Sequence, residues 1–279
     1  MLKSGLYIVA TPIGNLKDLS ERAKEILTQA DVIAAEDTRV TKKLFSLLGL
    51  SLNRPFVAYE DHLEQERLND IIGLIKEGNS VALVSDAGSP LISDPGYKLV
   101  RACRKEDVYV TTIPGACAVI SALQLSGLPT NRFMFAGFIP NKDKARFDLF
   151  TELQNINTTL VLYETALRLE KSLKVINDIM PQREVAIVRE ISKLYEECLS
   201  GFAGELLKEL KERTIKGEIA LIIAPPTQTE PQAFEWEALL KEELKKSTVK
   251  EAVKKITETY HLKRNDVYAK ALEFKNELL

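Results

Sequence analysis

Eleven consecutive residues, Asp86 to Gly96, read DAGSPLISDPG and bring together two Asp, two Gly, two Pro and two Ser. They hold too little apolar surface to be core, but they supply turn geometry, backbone N–H donors and glycines that let a ligand approach the main chain. Thr11-Pro12-Ile13-Gly14-Asn15 and Pro114-Gly115-Ala116 are loops of the same kind. Glu36-Asp37-Thr38-Arg39 sets three charged groups directly after an apolar run, where they need partners or water and so belong at a rim or cleft. The chemistry these residues suit is the cradling of a nucleoside-sized ligand. Other chemistries lack their parts. No G-x-G-x-x-G follows a strand, and neither G-x-x-x-x-G-K-[ST] nor G-x-S-x-G occurs. With only His62 and His261, and no H-E-x-x-H, a catalytic zinc and a serine-hydrolase triad are both disfavoured, and no metal is expected. Cys103, Cys117 and Cys198 are odd in number and far apart, and they read as small core residues.

The elements that must position these loops follow from the apolar pattern. Leu6–Ala10, Val32–Ala35, Ser80–Val84 and Val108–Thr112 are short apolar runs of the kind buried on both faces, with a shorter strand at Phe56–Tyr59. Between them the spacing predicts helices over Asp18–Ala30, with Asp18 and Glu21 as a capping box, and over Thr41–Leu48, Leu63–Lys76 and Tyr97–Lys105. Alternation of this kind predicts a parallel sheet with right-handed crossovers, its loops gathered on one edge. After a small-residue helix at Ala116–Leu125 and the turn Gly127–Asn131 the pattern restarts. Strands are expected at Phe133–Phe138, Thr159–Tyr163, Glu184–Val188 and Gly217–Ala224, and helices near Lys142–Leu153, Leu167–Asp178 and Gly204–Arg213. Pro225 to Pro231 reads as a linker. Beyond it the tail is helical, with Val249, Val253 and Ile256 as one apolar stripe, Val267, Tyr268, Ala271 and Leu272 as another, and a break at Thr259–Asn265. The expected organisation is an α/β domain over 1–114, a second over 115–226, and a small helical, mildly basic domain over 232–279.

A length of 279 residues is enough for two cores. The net charge of −2 argues against a generic polyanion binder, although the tail from Lys241 onward carries ten Lys or Arg against seven Asp or Glu. The longest apolar runs are far too short to span a bilayer, and Met1 to Gly5 leads into a strand without a signal-like region, so no membrane association and a cytoplasmic location are expected.

Several blocks together resemble a known family. Thr11-Pro12-Ile13-Gly14-Asn15-Leu16, Ala34 to Arg39, Val84 to Gly96, Pro114-Gly115, Gly127 to Thr130 and Arg189-Glu190-Ile191-Ser192-Lys193 are similar to the motifs of the bacterial ribosomal RNA small subunit methyltransferases I. That family lies within the tetrapyrrole methylase class of S-adenosylmethionine enzymes. The resemblance is collinear from residue 6 to about 224 and extends to the basic tail. It implies two consecutive α/β domains of the tetrapyrrole methylase type with the cofactor cleft between them. It also implies a homodimer that methylates the ribose 2′-hydroxyl of one decoding-centre cytidine, on small-subunit (16S) rRNA or the assembled subunit. Carried over by position, Pro12, Asp86, Gly88, Ser89, Pro114, Gly115 and Ala116 would line the cofactor site, completed by Tyr163 and Ala220.

The chain departs from the family at two places. It has Ala116-Cys117-Ala118 where the family usually shows Pro-Ser-Ala, and Tyr163-Glu164-Thr165-Ala166-Leu167-Arg168 where the family shows Tyr-Glu-Ser-Pro-His-Arg. Methyl transfer to a ribose is an in-line displacement helped by alignment and by removal of the hydroxyl proton. Asp37, Glu190 and Lys193 are the candidate bases or electrostatic helpers. Arg39, Lys42, Lys43, Lys142, Lys144 and Arg146 are the candidate contacts to the RNA backbone. Two alternatives stay open: a methylase of a tetrapyrrole or other small molecule on the same fold, and a non-catalytic ribosome-binding factor.

Overall fold

The structure is a computed structural model that describes residues 2–60, 64–211, 213–226, 233–260, 262 and 264–277. The chain forms two compact units, Met1–Pro226 and Thr227–Leu279.

In the first unit β1 (Gly5–Val9), β2 (Val32–Ala35), β3 (Phe56–Ala58), β4 (Ser80–Val84) and β5 (Val110–Ile113) make one sheet. Its order is β3-β2-β4-β1-β5 and every neighbouring pair is parallel. Burial of every residue of β2 and β4 explains their unbroken apolar runs, because helices cover both faces. Those helices are α1 (Glu21–Gln29), α2 (Thr38–Leu47), α3 (Glu64–Lys76) and α4 (Tyr97–Lys105). Ile26 and Leu27 of α1 and Phe45 of α2 pack on one face with Val9, Ile33 and Val84. Ile71 and Ile75 of α3 and Leu99 of α4 pack on the other, with Leu6, Val81 and Leu83. The chain therefore leaves β4 toward one face, while both of its neighbours, β1 and β2, send their chains to the opposite face. A crevice opens at the carboxyl ends of parallel strands wherever adjacent connections diverge in this way. Here two such crevices flank the 86–96 loop.

Two helix starts differ from the sequence expectation, each because a side chain caps the backbone earlier or later. Helix α1 begins after Ser20, whose hydroxyl accepts Ala23 N–H at 3.1 Å, and Asp18 closes a separate turn capped by Asn15. Helix α2 begins at Thr38 rather than Thr41, because Asp37 accepts Arg39 N–H at 2.8 Å. The expected start of α3 at Leu63 lies outside the described residues.

The second half of the unit contains α5 (Ala118–Ser126), β6 (Phe133–Phe138), α6 (Asp143–Leu153), β7 (Thr159–Thr165), α7 (Ala166–Ile179), β8 (Glu184–Arg189), β9 (Glu197–Phe202), α8 (Ala203–Leu210) and β10 (Glu218–Ile223). The sheet runs β6-β7-β10-β8-β9, parallel only between β6 and β7. Helix α5 covers one face through Val119, Ala122 and Leu123. Helices α6 to α8 cover the other through Phe150, Leu173 and Leu206. Strand β9 was absent from the expected elements. It is an edge strand whose residues alternate between half-buried and exposed, with no apolar run to announce it. Cys198 lies on it and is exposed, Cys117 is half-buried, and only Cys103 is core, which corrects the reading of all three as core residues.

The second unit is a three-helix cluster of α9 (Ala233–Leu244), α10 (Val249–Tyr260) and α11 (Arg264–Glu277), packed through Leu240, Val253, Ile256, Val267, Ala271 and Phe274. Tyr268 and Leu272, expected on the second stripe, are 47% and 43% exposed. Of the expected linker, residues 227–231 lie outside the described residues. No helix among the described residues is long and apolar enough to cross a membrane.

Candidate functional site

The first crevice lies between the loops after β1 and β4 and continues onto the α5 side of the second sheet. Thr11 and Gly88 pin the two loops together, Thr11 N–H donating to Gly88 at 2.8 Å and Gly88 N–H to Thr11 at 3.1 Å. Gly88 holds φ +81°, and a Cβ there would stand 3.2 Å from the Ile13 side chain. Glycine is required at this position for both reasons. Ser89 donates its hydroxyl to Ala116 O at 3.3 Å, which ties the loop to the start of the second half. The enclosed cavity is about 250 Å³. Its walls are Ile13, Ile92, Phe138, Ile219, Ala220 and Tyr163, and its polar groups include Ser89, Asp94, Glu164, Thr165 and Glu218. Phe138 and Phe135 flank the Tyr163 ring at 5.1 and 5.0 Å. Burial, with Asp94 adding to it, pushes the Tyr163 phenol up to about 12, so it stays protonated at neutral pH.

Backbone strain concentrates around this cavity. Leu91, Ser93, Glu190 and Ser192 all take positive φ, between 50° and 72°. Non-glycine residues held this way cost of order 1–3 kcal/mol each and persist where the surroundings over-determine them. What fixes Glu190 and Ser192 is visible. Glu218 N–H donates to Glu190 Oε1 at 3.2 Å, Lys193 Nζ binds Glu190 at 3.0 Å and Glu218 at 2.9 Å, and Ser192 donates to Asp18 of the first half. Burial by itself would raise the Glu190 carboxyl. The Lys193 ammonium and the Glu218 N–H outweigh it and hold the group below its ordinary value. For Lys193 burial acts downward, and the two carboxylates outweigh it and keep the ammonium charged.

The second crevice, about 500 Å³, lies on the other side of the same loop and is lined by Glu36, Asp37, Thr38, Arg39, Glu60, Asp86 and Pro95. Asp37 N–H donates to Asp86 Oδ1 at 3.1 Å, and Asp86 N–H donates to Glu36 at 3.2 Å. Arg39 clasps Asp37 at 2.6 Å and, with its own N–H, holds that carboxyl at about 2. Desolvation pushes Asp86 the opposite way, upward, against a partial offset from the Asp37 N–H. Among the described residues no group of His, Cys, Asp or Glu is arranged to hold a metal ion.

The model of the tetrapyrrole (corrin/porphyrin) methylases matches residues 5–207, which include the loops after β1, β2 and β4 that form the crevices, though not β10. The chain belongs to the tetrapyrrole methylase family. Among its curated relatives, the ribosomal RNA small subunit methyltransferase I of Erythrobacter litoralis is 47% identical over 98% of this chain and 96% of that protein. The protein of the same name from Rickettsia prowazekii is 42% identical over 97% of this chain and 95% of its own length. Among solved structures, the uroporphyrin-III C-methyl transferase of Thermus thermophilus, complexed with S-adenyl homocysteine, aligns at a TM-score of 0.53 with 17% identity, covering 79% of this chain and 97% of that one. This likeness is one of fold.

In this methylase the residues singled out by sequence separate into three groups. Gly88, Ser89, Tyr163 and Ala220 line the cavity between the sheets. Pro12 and Pro114 to Ala116 are not among its lining residues. Gly115 packs so closely that a Cβ would come 2.9 Å from that of Ala10, and Ala116 contributes its carbonyl to Ser89. Asp86 turns into the acidic crevice with Asp37 and Arg39. Glu190 and Lys193 form one network at the cavity's edge, away from Asp37 in the chain's other half. Lys42, Lys43, Lys142 and Lys144 are exposed. Arg146 is not available to a phosphate: it is 1% exposed and its guanidinium is taken by Asp143 at 2.6 Å and Asn141 O at 3.0 Å. In the altered 163–168 block, buried Glu164 is held by Arg168 at 2.8 Å, by Ser172 and by Thr165 N–H, while Leu167 is 95% exposed. Sequence reasoning missed Ile92, Asp94, Phe138 and Glu218 as cavity residues. They come from one loop and two strands, and only the Asp of the SDPG run carried any signal.

Proposed function

We propose that the chain is an S-adenosylmethionine-dependent methyltransferase of the ribose 2′-hydroxyl of a decoding-centre cytidine in small-subunit rRNA. The observation that carries this reading is the near-full-length similarity to ribosomal RNA small subunit methyltransferases I, 47% in one case, on a chain whose cavity has the right chemistry. Three carboxylates line that cavity, two of them paired with Arg168 and Lys193, and no Lys or Arg is among the lining residues, which suits S-adenosylmethionine better than a polyphosphate. Its aromatic and aliphatic walls suit a base and a thioether chain, and its volume of about 250 Å³ is near the lower end of ligand sites, which run from about 300 Å³.

When bound, S-adenosylmethionine supplies the methyl group as a sulfonium electrophile. Gly88, Ser89, Ala220 and the ring of Tyr163 would hold it, with Asp94 and Glu218 as polar partners. Pro12 and Pro114 to Ala116 would shape the backing. The ribose proton needs an acceptor, and the carboxylates differ in fitness for this. Asp37, held at about 2, is a weak base, and its role is to orient Arg39 and cap α2. Asp86, with its pKa raised, is the better acceptor of the two, for a ribose that enters from the acidic crevice where Asp86 and Arg39 stand. Lys193 stays an ammonium and serves as a fixed positive charge, with Glu190 positioning it. Arg39, whose side chain is 89% exposed, and Lys42, Lys43, Lys142 and Lys144 supply phosphate contacts. Exposed Leu167, Leu194 and Tyr195, at 95%, 88% and 68%, support a homodimer, and the cytoplasm is the expected location.

The acceptor assignment predicts a pH profile. A raised carboxyl protonates at higher pH than an ordinary Asp, so kcat should fall as pH drops through a value above the usual aspartate range. Asp86→Asn should lower kcat by about 10²-fold or more and remove that acid limb, with S-adenosylmethionine affinity kept. An unchanged limb in the variant would assign the proton elsewhere. The substrate class is tested by labelled methyl transfer to small ribosomal subunits, to naked rRNA and to a uroporphyrinogen. Incorporation into the last alone would replace the RNA reading with the small-molecule one.

A further inference from the structure

The C-terminal unit carries a concavity of its own, about 670 Å³, lined by Ser247, Thr248, Lys250, Arg264, Tyr268 and Lys275 among others. The other described cations of this unit are mostly spoken for. Lys246, Lys254 and Lys255 pair with Glu242, Glu258 and Glu243, and Lys270 pairs with Glu237 and Glu273. Lys241 lies 4.1 Å from the centre of the Phe274 ring. Lys250, Arg264 and Lys275 form no ion pair among the described residues, and no carboxylate lines their concavity. Apart from Lys245, the described cations elsewhere in the unit are thus paired or stacked on a ring, and these three stand together at one hollow, where an anionic occupant would relieve their mutual repulsion.

The backbone is not the attraction. The N-terminus of α10 is closed by its own capping box, Thr248 N–H donating to the Glu251 carboxylate at 3.0 Å and Glu251 N–H donating back to Thr248 Oγ1 at 3.4 Å. The side chains are, and they include an aromatic ring. Tyr268 is 47% exposed on the same wall, an arrangement that a lone phosphate does not need and a nucleotide strand uses, base on ring and phosphates on cations.

We propose that the C-terminal unit grips the substrate RNA at this groove, with Lys250, Arg264 and Lys275 on successive phosphates and Tyr268 stacked on a base. This rests on the rRNA reading above and assigns the tail a part in it. The test measures binding of the full-length protein to labelled small-subunit rRNA over a series of salt concentrations. For Lys250→Gln/Arg264→Gln/Lys275→Gln, the slope of log affinity against log salt should be shallower by about two, three contacts at about 0.7 each. KM for the RNA should rise while kcat and S-adenosylmethionine affinity hold. Tyr268→Ala should weaken binding and Tyr268→Phe restore it, because the ring and not the hydroxyl is used. Lys254→Gln/Lys255→Gln, which removes equally exposed but paired charges, should bind as the parent does. A triple variant that binds S-adenosylmethionine normally and keeps the parental salt slope overturns the groove assignment alone. A parent protein that binds no rRNA overturns it together with the proposed function.

Discussion

Gly88→Val is expected to reduce S-adenosylmethionine affinity by more than about tenfold, measured by calorimetry on the intact chain. Gly88 sits at φ +81°, where a β-branched residue is strained by about 1–3 kcal/mol, and its Cβ would press on Ile13 at 3.2 Å. The Ile13 side chain can yield a little, but the backbone strain is relieved by turning the loop away from Thr11, which breaks the two hydrogen bonds that hold the β1 and β4 loops together. Ile13, Gly88 and Ser89 all line the cavity, so the site is deformed at three points by one change. A shift of 1.4 kcal/mol is already tenfold in affinity. Core packing lies below the loop, so the melting temperature should fall only by the cost of the strain. An unaltered affinity in a folded Gly88→Val protein would place the cofactor somewhere other than this crevice.

Arg183→Met is expected to remove about 3–5 kcal/mol of stability from the first unit, seen as a large drop in the urea midpoint without a change in slope. Arg183 is 3% exposed and has no carboxylate partner among the described residues. Its guanidinium instead donates to Thr158 O at 3.0 Å, to Leu153 O at 3.3 Å, to Gln154 O at 3.4 Å and to Ala224 O. One side chain thereby closes the end of α6, the start of β7 and the end of β10. Burial lowers its pKa to about 10, which still leaves it charged at neutral pH. Methionine fills the volume but strands those carbonyls in a dry place. Lysine should rescue little, because a single ammonium lacks the planar fork that reaches several acceptors. Loss of less than about 1 kcal/mol in Arg183→Met would show that water replaces the guanidinium there.

How much of this was legible in the chain depends on the range of the interaction. Strands β1, β2 and β4 announced themselves because burial on both faces leaves no room for polar residues. The 86–96 loop stood out for the opposite reason. The split into an apolar and an acidic crevice was not legible, because it depends on which sheet face each following helix covers, and no local pattern encodes that. Asp86, read as a cofactor residue beside Gly88, therefore proves to sit with Asp37 and Arg39 on the other side of the loop. Asp37 looked like cleft chemistry, but its carboxylate is taken by the Arg39 guanidinium and by the backbone of α2, which starts three residues earlier than expected. Arg146 read as a contact to the RNA backbone and Arg183 carried no signal, and only tertiary contacts reveal that both are buried. The same limit hid the tail groove. A net surplus of positive charge was countable, but which cations are paired and which are left together is a matter of three helices meeting.

We propose that the cavity between the sheets serves methyl transfer to one ribose of the small-subunit rRNA. The most direct test incubates the purified protein with labelled S-adenosylmethionine and small ribosomal subunits from cells lacking this enzyme, then maps resistance to alkaline cleavage along the RNA. Label is expected in the RNA, with a single protected linkage at a cytidine of the decoding region, and both should weaken with Gly88→Val at limiting cofactor. Label confined to a base, or no label in subunits or naked rRNA although calorimetry shows the cofactor bound, would contradict it.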